Sequence, residues 1–159
     1  MDLNTTMQTL ESLGTEQNRK VFPRHGVGAN LFGVSYANLG KLSKQIKKDT
    51  ALALQLWQTG NHDARVLATM IADPLEIDLE TGQSWVEDLD NYVISDAFAG
   101  MVARSAWADV KMAEWIDSDG EWTGRVGWRM LAGLALENKG LPAGYFCPLY
   151  TSDAAHDHL

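Results

Sequence analysis

Apolar residues recur three or four positions apart along most of this chain, the spacing that places them on one face of an α-helix. Ser35 is a residue type that caps helix N-termini, and a helix is predicted to follow it. The buried face of that helix is predicted to hold Tyr36, Leu39, Leu42 and Ile46. No convincing run alternates apolar and polar residues as a half-buried strand does, so the chain is predicted to be all-α.

The same reasoning divides most of the remaining chain into short helices. Asp49 or Thr50 caps the next helix, which is predicted to end at Gly60. Asn61 begins another, and Pro74 stops its pattern. Four more are predicted at about 80–89, 91–104, 106–117 and 121–138. Short helices of similar length in series indicate antiparallel HEAT-like repeats, an α-solenoid or α-α superhelix, with an irregular helical bundle as the alternative.

The length and composition fit one domain. With 159 residues, 45% of them hydrophobic, the chain is large and apolar enough for a single core. Its single cysteine, Cys147, excludes an internal disulfide and favours a reducing compartment. The first 14 residues do not follow a signal-peptide pattern, and no apolar run approaches the roughly 20 residues of a membrane span. We therefore predict a soluble, cytoplasmic protein without a membrane partner.

The charge is unevenly distributed. The net charge is −8, but residues 1–50 hold seven basic and four acidic residues, a balance of +3, and residues 51–159 hold six basic and 17 acidic, a balance of −11. The outer face of the helix after Ser35 is predicted to carry Lys41, Lys44 and Lys48. These lysines are candidates for contacts with a nucleic-acid backbone, and an ordinary solvated helix surface is the alternative.

The segment 91–104 has two different faces when it is placed on a helix. The face predicted to be buried holds Ile94, Phe98, Met101 and Val102. The other side presents a ring and a carboxylate one turn apart, Tyr92 and Asp96, followed by the small residues Ala99 and Ala103. This pattern leaves room for a ligand beside a carboxylate. The alternatives are a solvated surface pair, or an Asp96 carboxylate that accepts a hydrogen bond from a neighbouring helix.

The segment 121–137 is the second one with an unusual outer face. Met130, Leu131 and Leu134 define its predicted buried side. The opposite side clusters an aromatic ring with two guanidinium groups, from Trp122, Arg125 and Arg129. Such a face suits phosphate binding and base stacking, and an interhelical cation–π contact is the alternative.

Several other features predict no chemistry. The P-loop, dinucleotide-binding, HExxH and CxxC motifs are absent, so no cofactor and no metal ion is predicted. His156 and His158 flank an aspartate like a metal clip, but they lie in a short tail. The pair His62–Asp63 is interpreted as a hydrogen-bonded helix start. Apolar helical patterns place four tryptophans in the predicted core, namely Trp57, Trp85, Trp107 and Trp115.

Three runs in this order, 56–74, 85–98 and 118–128, resemble the AlkD-like DNA alkylation repair family. Members of that family are HEAT-like helical-repeat DNA glycosylases that remove N3- and N7-alkylated purines, and the similarity covers roughly residues 25–146. The resemblance implies that Asp96 is the catalytic carboxylate and that Arg125 contacts a phosphate. It also places Tyr92 where the family usually has tryptophan, and a second lesion-facing tryptophan of the family has no counterpart in this chain.

The chemistry that the resemblance implies is consistent with the residue types. An N-alkylated purine is cationic and leaves without prior protonation, so a carboxylate such as Asp96 is needed only to stabilise the oxocarbenium-like sugar. The rings of Tyr92 and Trp122 favour a cationic base, while Arg125 and Arg129 hold the backbone. The resulting expectation is a DNA glycosylase acting on double-stranded DNA with alkylated bases, without cofactor or metal, in the cytoplasm and on the nucleoid when bound. The alternative is a non-catalytic helical-repeat scaffold that binds nucleic acid or protein, which the acidic balance after residue 50 favours.

The end of the chain is interpreted separately. Residues 1–147 are predicted to form the helical-repeat domain, which we expect to be incomplete at its C-terminus. Residues 148–159 form a polar tail, and the stretch 149–155 resembles the translation of a sequencing adapter. The tail is therefore either foreign to the native protein or a genuine polar terminus.

Overall fold

A computed structural model describes residues 1–137, and every regular element in that range is helical. The α-helices are α1 (Leu3–Leu13), α2 (Glu16–Val21), α3 (Tyr36–Ile46), α4 (Thr50–Gln58), α5 (His62–Ile71), α6 (Leu79–Glu87), α7 (Tyr92–Val102), α8 (Ala108–Ile116) and α9 (Glu121–Glu137). Two 3₁₀ helices lie at Phe22–His25 and Pro74–Glu76. The all-α prediction is confirmed. The predictions for the tail 148–159, the boundary at 147 and the pair His156 and His158 lie outside the described residues.

Side-chain caps set most of the helix starts. Ser35 and Asn61 cap α3 and α5 as predicted. Their side-chain oxygens each accept a hydrogen bond from the backbone N–H three residues later, at 3.2 and 3.0 Å. Asp49, and not Thr50, caps α4 in the same way at 3.0 Å. Helices α1 and α2 were not predicted, although Asp2 and Thr15 cap them by the same hydrogen bond.

One layer of helices organises the fold. Helices α4 and α5, α6 and α7, and α8 and α9 pack as sequential pairs, and the second members of these pairs contact one another in the order α5, α7, α9. Helix α3 packs on the free side of α5, so α3, α5, α7 and α9 form one layer, here called the odd-helix layer. Gly127 lets α9 lie close to α8, because a Cβ atom there would come within 2.5 Å of the Ile116 nitrogen. Within residues 1–137, no helix is long and apolar enough to cross a membrane.

Aromatic rings connect the repeats through the core. Trp57 and Trp85 stack with ring centroids 4.2 Å apart and planes 2° apart, and the Phe98 ring lies 6.2 Å from Trp57 and 5.8 Å from Trp115. These three tryptophans are buried as predicted. Trp107 is partly buried and packs against this core just before α8, and it donates its Nε1–H to the Ile77 carbonyl at 2.8 Å.

Helix α3 differs from its prediction on the outside. Leu39 and Leu42 are buried, but Tyr36 is 69% exposed and does not belong to the core. The helix ends at Ile46 because Lys47 takes a left-handed φ of 66°, which breaks the helical path.

Lys48 therefore lies beyond α3, and the prediction that it extends the cationic face of that helix is wrong. Its ammonium group donates to the carbonyl oxygens of Met70 and Ala72 at 3.0 and 3.3 Å. Both carbonyls belong to the C-terminal end of α5, where a cation is favoured by the helix dipole. In this structure Lys48 stabilises a helix end.

A buried carboxylate fixes α3 against α5. Asp63 is fully buried and accepts hydrogen bonds from the backbone N–H groups of Phe32, Gly33 and Val34 at 2.6, 3.0 and 2.9 Å. These residues immediately precede the cap of α3. The helix start predicted at His62–Asp63 is therefore also the anchor that positions the edge of the odd-helix layer.

Candidate functional site

Asp96 and Arg125 form a two-point ion pair between α7 and α9. The Arg125 Nε–H and Nη2–H donate to the two carboxylate oxygens of Asp96 at 2.8 and 3.0 Å. Arg129, one turn later on α9, places its Nε 3.4 Å from the same carboxylate. The neighbouring positions of α7 and α9 in the odd-helix layer therefore bring together the carboxylate and both guanidinium groups that the sequence singled out.

The ion pair is partly open to solvent. The side chains of Asp96 and Arg125 are 24% and 40% exposed, and that of Arg129 is 56% exposed. The hydrogen bond to Asp96 raises the pKa of Arg125, while partial burial opposes the rise. The charges of Asp96, Arg125 and Arg129 sum to +1, and the Glu121 carboxylate, which also raises the pKa of Arg125, opposes that excess.

Tyr92 completes this group through its ring and its hydroxyl. The Arg125 guanidinium carbon lies 5.6 Å from the centre of the Tyr92 ring, within cation–π range. The Tyr92 hydroxyl shares a 2.8 Å hydrogen bond with Nδ1 of His25, and the two rings meet edge to face at 6.0 Å. Tyr92, Asp96, Arg125, Arg129 and His25 are together called the Asp96 cluster.

His25 is the member of the cluster that sequence reasoning missed. It lies in the 3₁₀ helix Phe22–His25, 67 positions before Tyr92, and no motif or periodicity connects the two. Only the packing of the N-terminal segment beside α7 brings them into contact.

A groove of about 310 Å³ runs beside Asp96 and Arg129 between α7, α8 and α9. Small residues form part of its wall, including Ala99, Ala103 and Gly100, where a Cβ atom would meet nothing within 4 Å. The sequence predicted that small residues would leave space next to Asp96, and the groove agrees with that prediction.

The other predicted site residues are not members of the cluster. Trp122 is partly buried in the first turn of α9 and packs against the hydrophobic core. Lys41 and Lys44 are exposed on α3, which α5 separates from α7 in the odd-helix layer. Among residues 1–137, no three histidine, cysteine or acidic side chains are grouped in a way that would hold a metal ion.

The sequence as a whole is similar to known proteins. The profile of the DNA alkylation repair enzyme family matches residues 6–142. An uncharacterized protein of Listeria monocytogenes, Lmo0209, is 27% identical over 134 residues, which make up 80% of this chain and 58% of that protein. The Listeria innocua protein Lin0241 is 26% identical over the same share of both chains.

A solved structure is similar in fold as well as in sequence. It is described as "A new family of proteins related to the HEAT-like repeat DNA glycosylases with affinity for branched DNA structures". It superposes with a TM-score of 0.80 at 33% identity, over 84% of this chain and 57% of that one. The likeness confirms the predicted HEAT-like repeat fold. The chain spans less than two thirds of the length of these relatives.

Proposed function

The chain belongs to the DNA alkylation repair enzyme family, and we propose that it binds DNA along the odd-helix layer and hydrolyses the N-glycosidic bond of N3- and N7-alkylated purines at Asp96. The observation that carries the proposal is the Asp96 cluster. A partly exposed carboxylate, an aromatic face and two guanidinium groups converge there from α7 and α9.

The reaction needs little from the protein beyond electrostatics. Alkylation gives the purine a positive charge, so the base departs as a neutral molecule and the positive charge moves to the sugar. The Asp96 carboxylate faces that developing charge and orients the water that completes the hydrolysis. The Tyr92 ring attracts the cationic base more strongly than its neutral parent.

The arginines have a different role in this proposal. Arg125 and Arg129 contact DNA phosphates on either side of the lesion, and Lys41 and Lys44 of α3 bind the backbone further along the layer. A DNA phosphate competes with Asp96 for the two guanidinium groups. When the phosphate binds them, the Asp96 carboxylate is less neutralised and stabilises the positive charge on the sugar more strongly. Trp122, three residues before Arg125, is proposed as the second ring that contacts the lesion.

The test is the release of 7-methylguanine from methylated duplex DNA by the wild-type chain and by Asp96→Asn. We expect the variant to bind DNA at least as tightly, since it loses a negative charge, and to release the base roughly 100-fold more slowly or worse. Asp88→Asn is the matched control, because Asp88 also lies beside an arginine, with Arg65 Nη2 at 3.8 Å, but outside the cluster, and its hydrogen bond from Trp57 Nε1 at 2.9 Å can still be accepted by the asparagine oxygen. Equal release by the wild-type chain and Asp96→Asn would remove Asp96 from the mechanism.

A second candidate is a DNA-binding protein without catalysis. It is favoured by the two guanidinium groups that already compensate Asp96, and by the affinity for branched DNA in the description of the similar structure. In this case Asp96 only orients Arg125 and Arg129 for phosphates. Tight, steeply salt-dependent binding to a four-way junction, together with no base release by the wild-type chain, would favour this candidate.

A further inference from the structure

An apolar groove of about 330 Å³ lies at the α3 end of the odd-helix layer. Its wall includes Phe22, Tyr36, Leu39, His62, Val66 and Val93, and it is called here the Tyr36 groove. The volume falls within the roughly 300–1,000 Å³ of small-molecule sites. The groove lies outside the Asp96 cluster, and the proposed reaction makes no use of it.

Aromatic rings lie at the same helical position in three successive helices of the layer. Tyr36, His62 and Tyr92 are each the first helical residue after an N-cap, in α3, α5 and α7. Tyr92 belongs to the Asp96 cluster, and His62 is only 8% exposed and meets the Phe22 ring edge to face at 6.0 Å. Tyr36 is the most exposed of the three rings.

Two polar groups at the groove, Asp63 and His62, are compatible with the binding of an uncharged aromatic ligand. The Asp63 carboxylate at its wall is bound by three backbone N–H groups. Burial lowers the pKa of His62, against the opposing charges of Asp63 and Asp90, so the imidazole is neutral near pH 7. The surface inside the groove is thus mainly apolar and aromatic.

Two exposed cations belong to segments that form the groove wall. Arg24 lies two residues after Phe22, and Lys44 lies eight residues after Tyr36 on α3, about 80° around that helix. Gly40 lies on α3 between Tyr36 and Lys44 and leaves open space, since a Cβ atom there would meet nothing within 4 Å. An apolar slot with an exposed ring, on a helix that also carries an exposed lysine, is complementary to a base attached to a phosphate backbone.

We propose that the Tyr36 groove binds an unpaired nucleobase of DNA, which stacks on the Tyr36 ring while Lys44 contacts the adjacent phosphate. The inference rests on the proposed DNA binding and adds a second contact with DNA, separate from the chemistry at Asp96. Stacking on a ring tolerates any base, because every base has a π face, so the groove recognises the unpaired state and not the sequence. Bulges, gaps and branch points supply such bases.

The test compares two duplexes of the same sequence, one fully paired and one with a single unpaired 2-aminopurine. The wild-type chain is expected to bind the bulged duplex more tightly and to quench the 2-aminopurine emission. Tyr36→Ala should bind the bulged duplex roughly 5- to 100-fold more weakly, with less quenching and with unchanged affinity for the paired duplex. Tyr36→Phe, which keeps the ring, and Leu75→Ala, which shortens an exposed apolar side chain elsewhere, should both behave like the wild-type chain.

Three results would overturn the inference, and they separate it from the proposed function. If the chain binds both duplexes equally and Tyr36→Ala changes neither affinity, DNA binding stands and the groove is not a base site. If the wild-type chain binds neither duplex, the proposed function fails together with the inference. If Tyr36→Ala changes only self-association in sedimentation, the groove is a protein interface. Circular dichroism confirms that each variant is folded.

Discussion

The starts of α3 and α7 are built alike but have different surroundings. Each begins with a polar cap followed directly by tyrosine, and each lies in the odd-helix layer. At α7 the Tyr92 ring faces the guanidinium of Arg125 and its hydroxyl is bonded to His25. At α3 the ring of Tyr36 lies open beside an apolar groove. The same helical position therefore serves an ion-pair cluster in one repeat and an open aromatic surface in another.

The residues of the neighbouring helix determine whether Tyr36 and Tyr92 lie beside charged or apolar side chains. Helix α9 packs against α7 and provides two arginines, so the α7 start becomes polar. Helix α5 packs against α3 and contributes Val66 to the groove together with His62 and Asp63, which are both buried, and the Asp63 carboxylate is already bound by three backbone N–H groups. A repeat fold can thus place two kinds of surface on one layer by changing the outward residues of adjacent helices.

The largest predicted effect concerns what holds the α3 start in place. Asp63→Ala removes a fully buried carboxylate and leaves three backbone N–H groups without their acceptor. We expect a loss of about 3 kcal/mol or more in the free energy of unfolding, measured by urea denaturation. Asp96→Asn is the comparison at the α7 start, and because that carboxylate is partly exposed we expect a change of about 1 kcal/mol or less. A loss below about 1 kcal/mol for Asp63→Ala would show that the α3 start is held by other contacts.

The parts of this comparison that depend on local sequence could be predicted. The side chains of Ser35 and Asn61 each accept a hydrogen bond from the backbone N–H three residues later, so their residue type is sufficient to locate the helix starts. The helical faces and the family resemblance singled out Asp96 and Arg125, but only the packing of α7 against α9 shows that the two side chains meet. The caps Asp2 and Thr15 are an equal sequence signal for the starts of α1 and α2.

The parts that depend on tertiary packing could not be predicted. Apolar spacing places Tyr36 on the same face as Leu39, but it cannot show that the neighbouring helix leaves the first turn uncovered. The left-handed backbone of Lys47 has no sequence signature in a lysine-rich segment, so Lys48 was assigned to the wrong element. His25 reaches Tyr92 across 67 residues, a separation at which no periodicity is informative.

A second prediction uses the pH dependence of stability to test the buried histidine beside the α3 start, His62. Burial lowers the pKa of His62 at the groove below its usual value, whereas the unfolded chain binds a proton near pH 6.5. The unfolded state therefore holds more protons just below pH 6.5, and the free energy of unfolding should fall as the pH drops through that range. His62→Gln should flatten this part of the stability profile, measured by urea denaturation from pH 8 to pH 5. Each variant is compared with its own stability at pH 8, so a general loss of stability does not affect the result. An unchanged slope would show that His62 is protonated in the folded state as readily as in the unfolded one.

The smallest predicted effect isolates the hydroxyl groups of the two tyrosines. Tyr92→Phe keeps the ring beneath Arg125 but removes the hydrogen bond to His25, which spans the N-terminal segment and α7. A hydrogen bond at a partly exposed site contributes about 0.5–1 kcal/mol, so we expect a loss of that size in the free energy of unfolding. Tyr36→Phe is the matched control, because that hydroxyl belongs to a largely exposed side chain and its removal should change stability by less than about 0.5 kcal/mol.

The double variant with His25→Ala adds a further check, since Tyr92→Phe should reduce the free energy of unfolding by less once His25 is absent. If both phenylalanine variants change stability equally, the bond to His25 does not distinguish the α7 start from the α3 start, and the difference between the two lies in Arg125 and its ion pair alone.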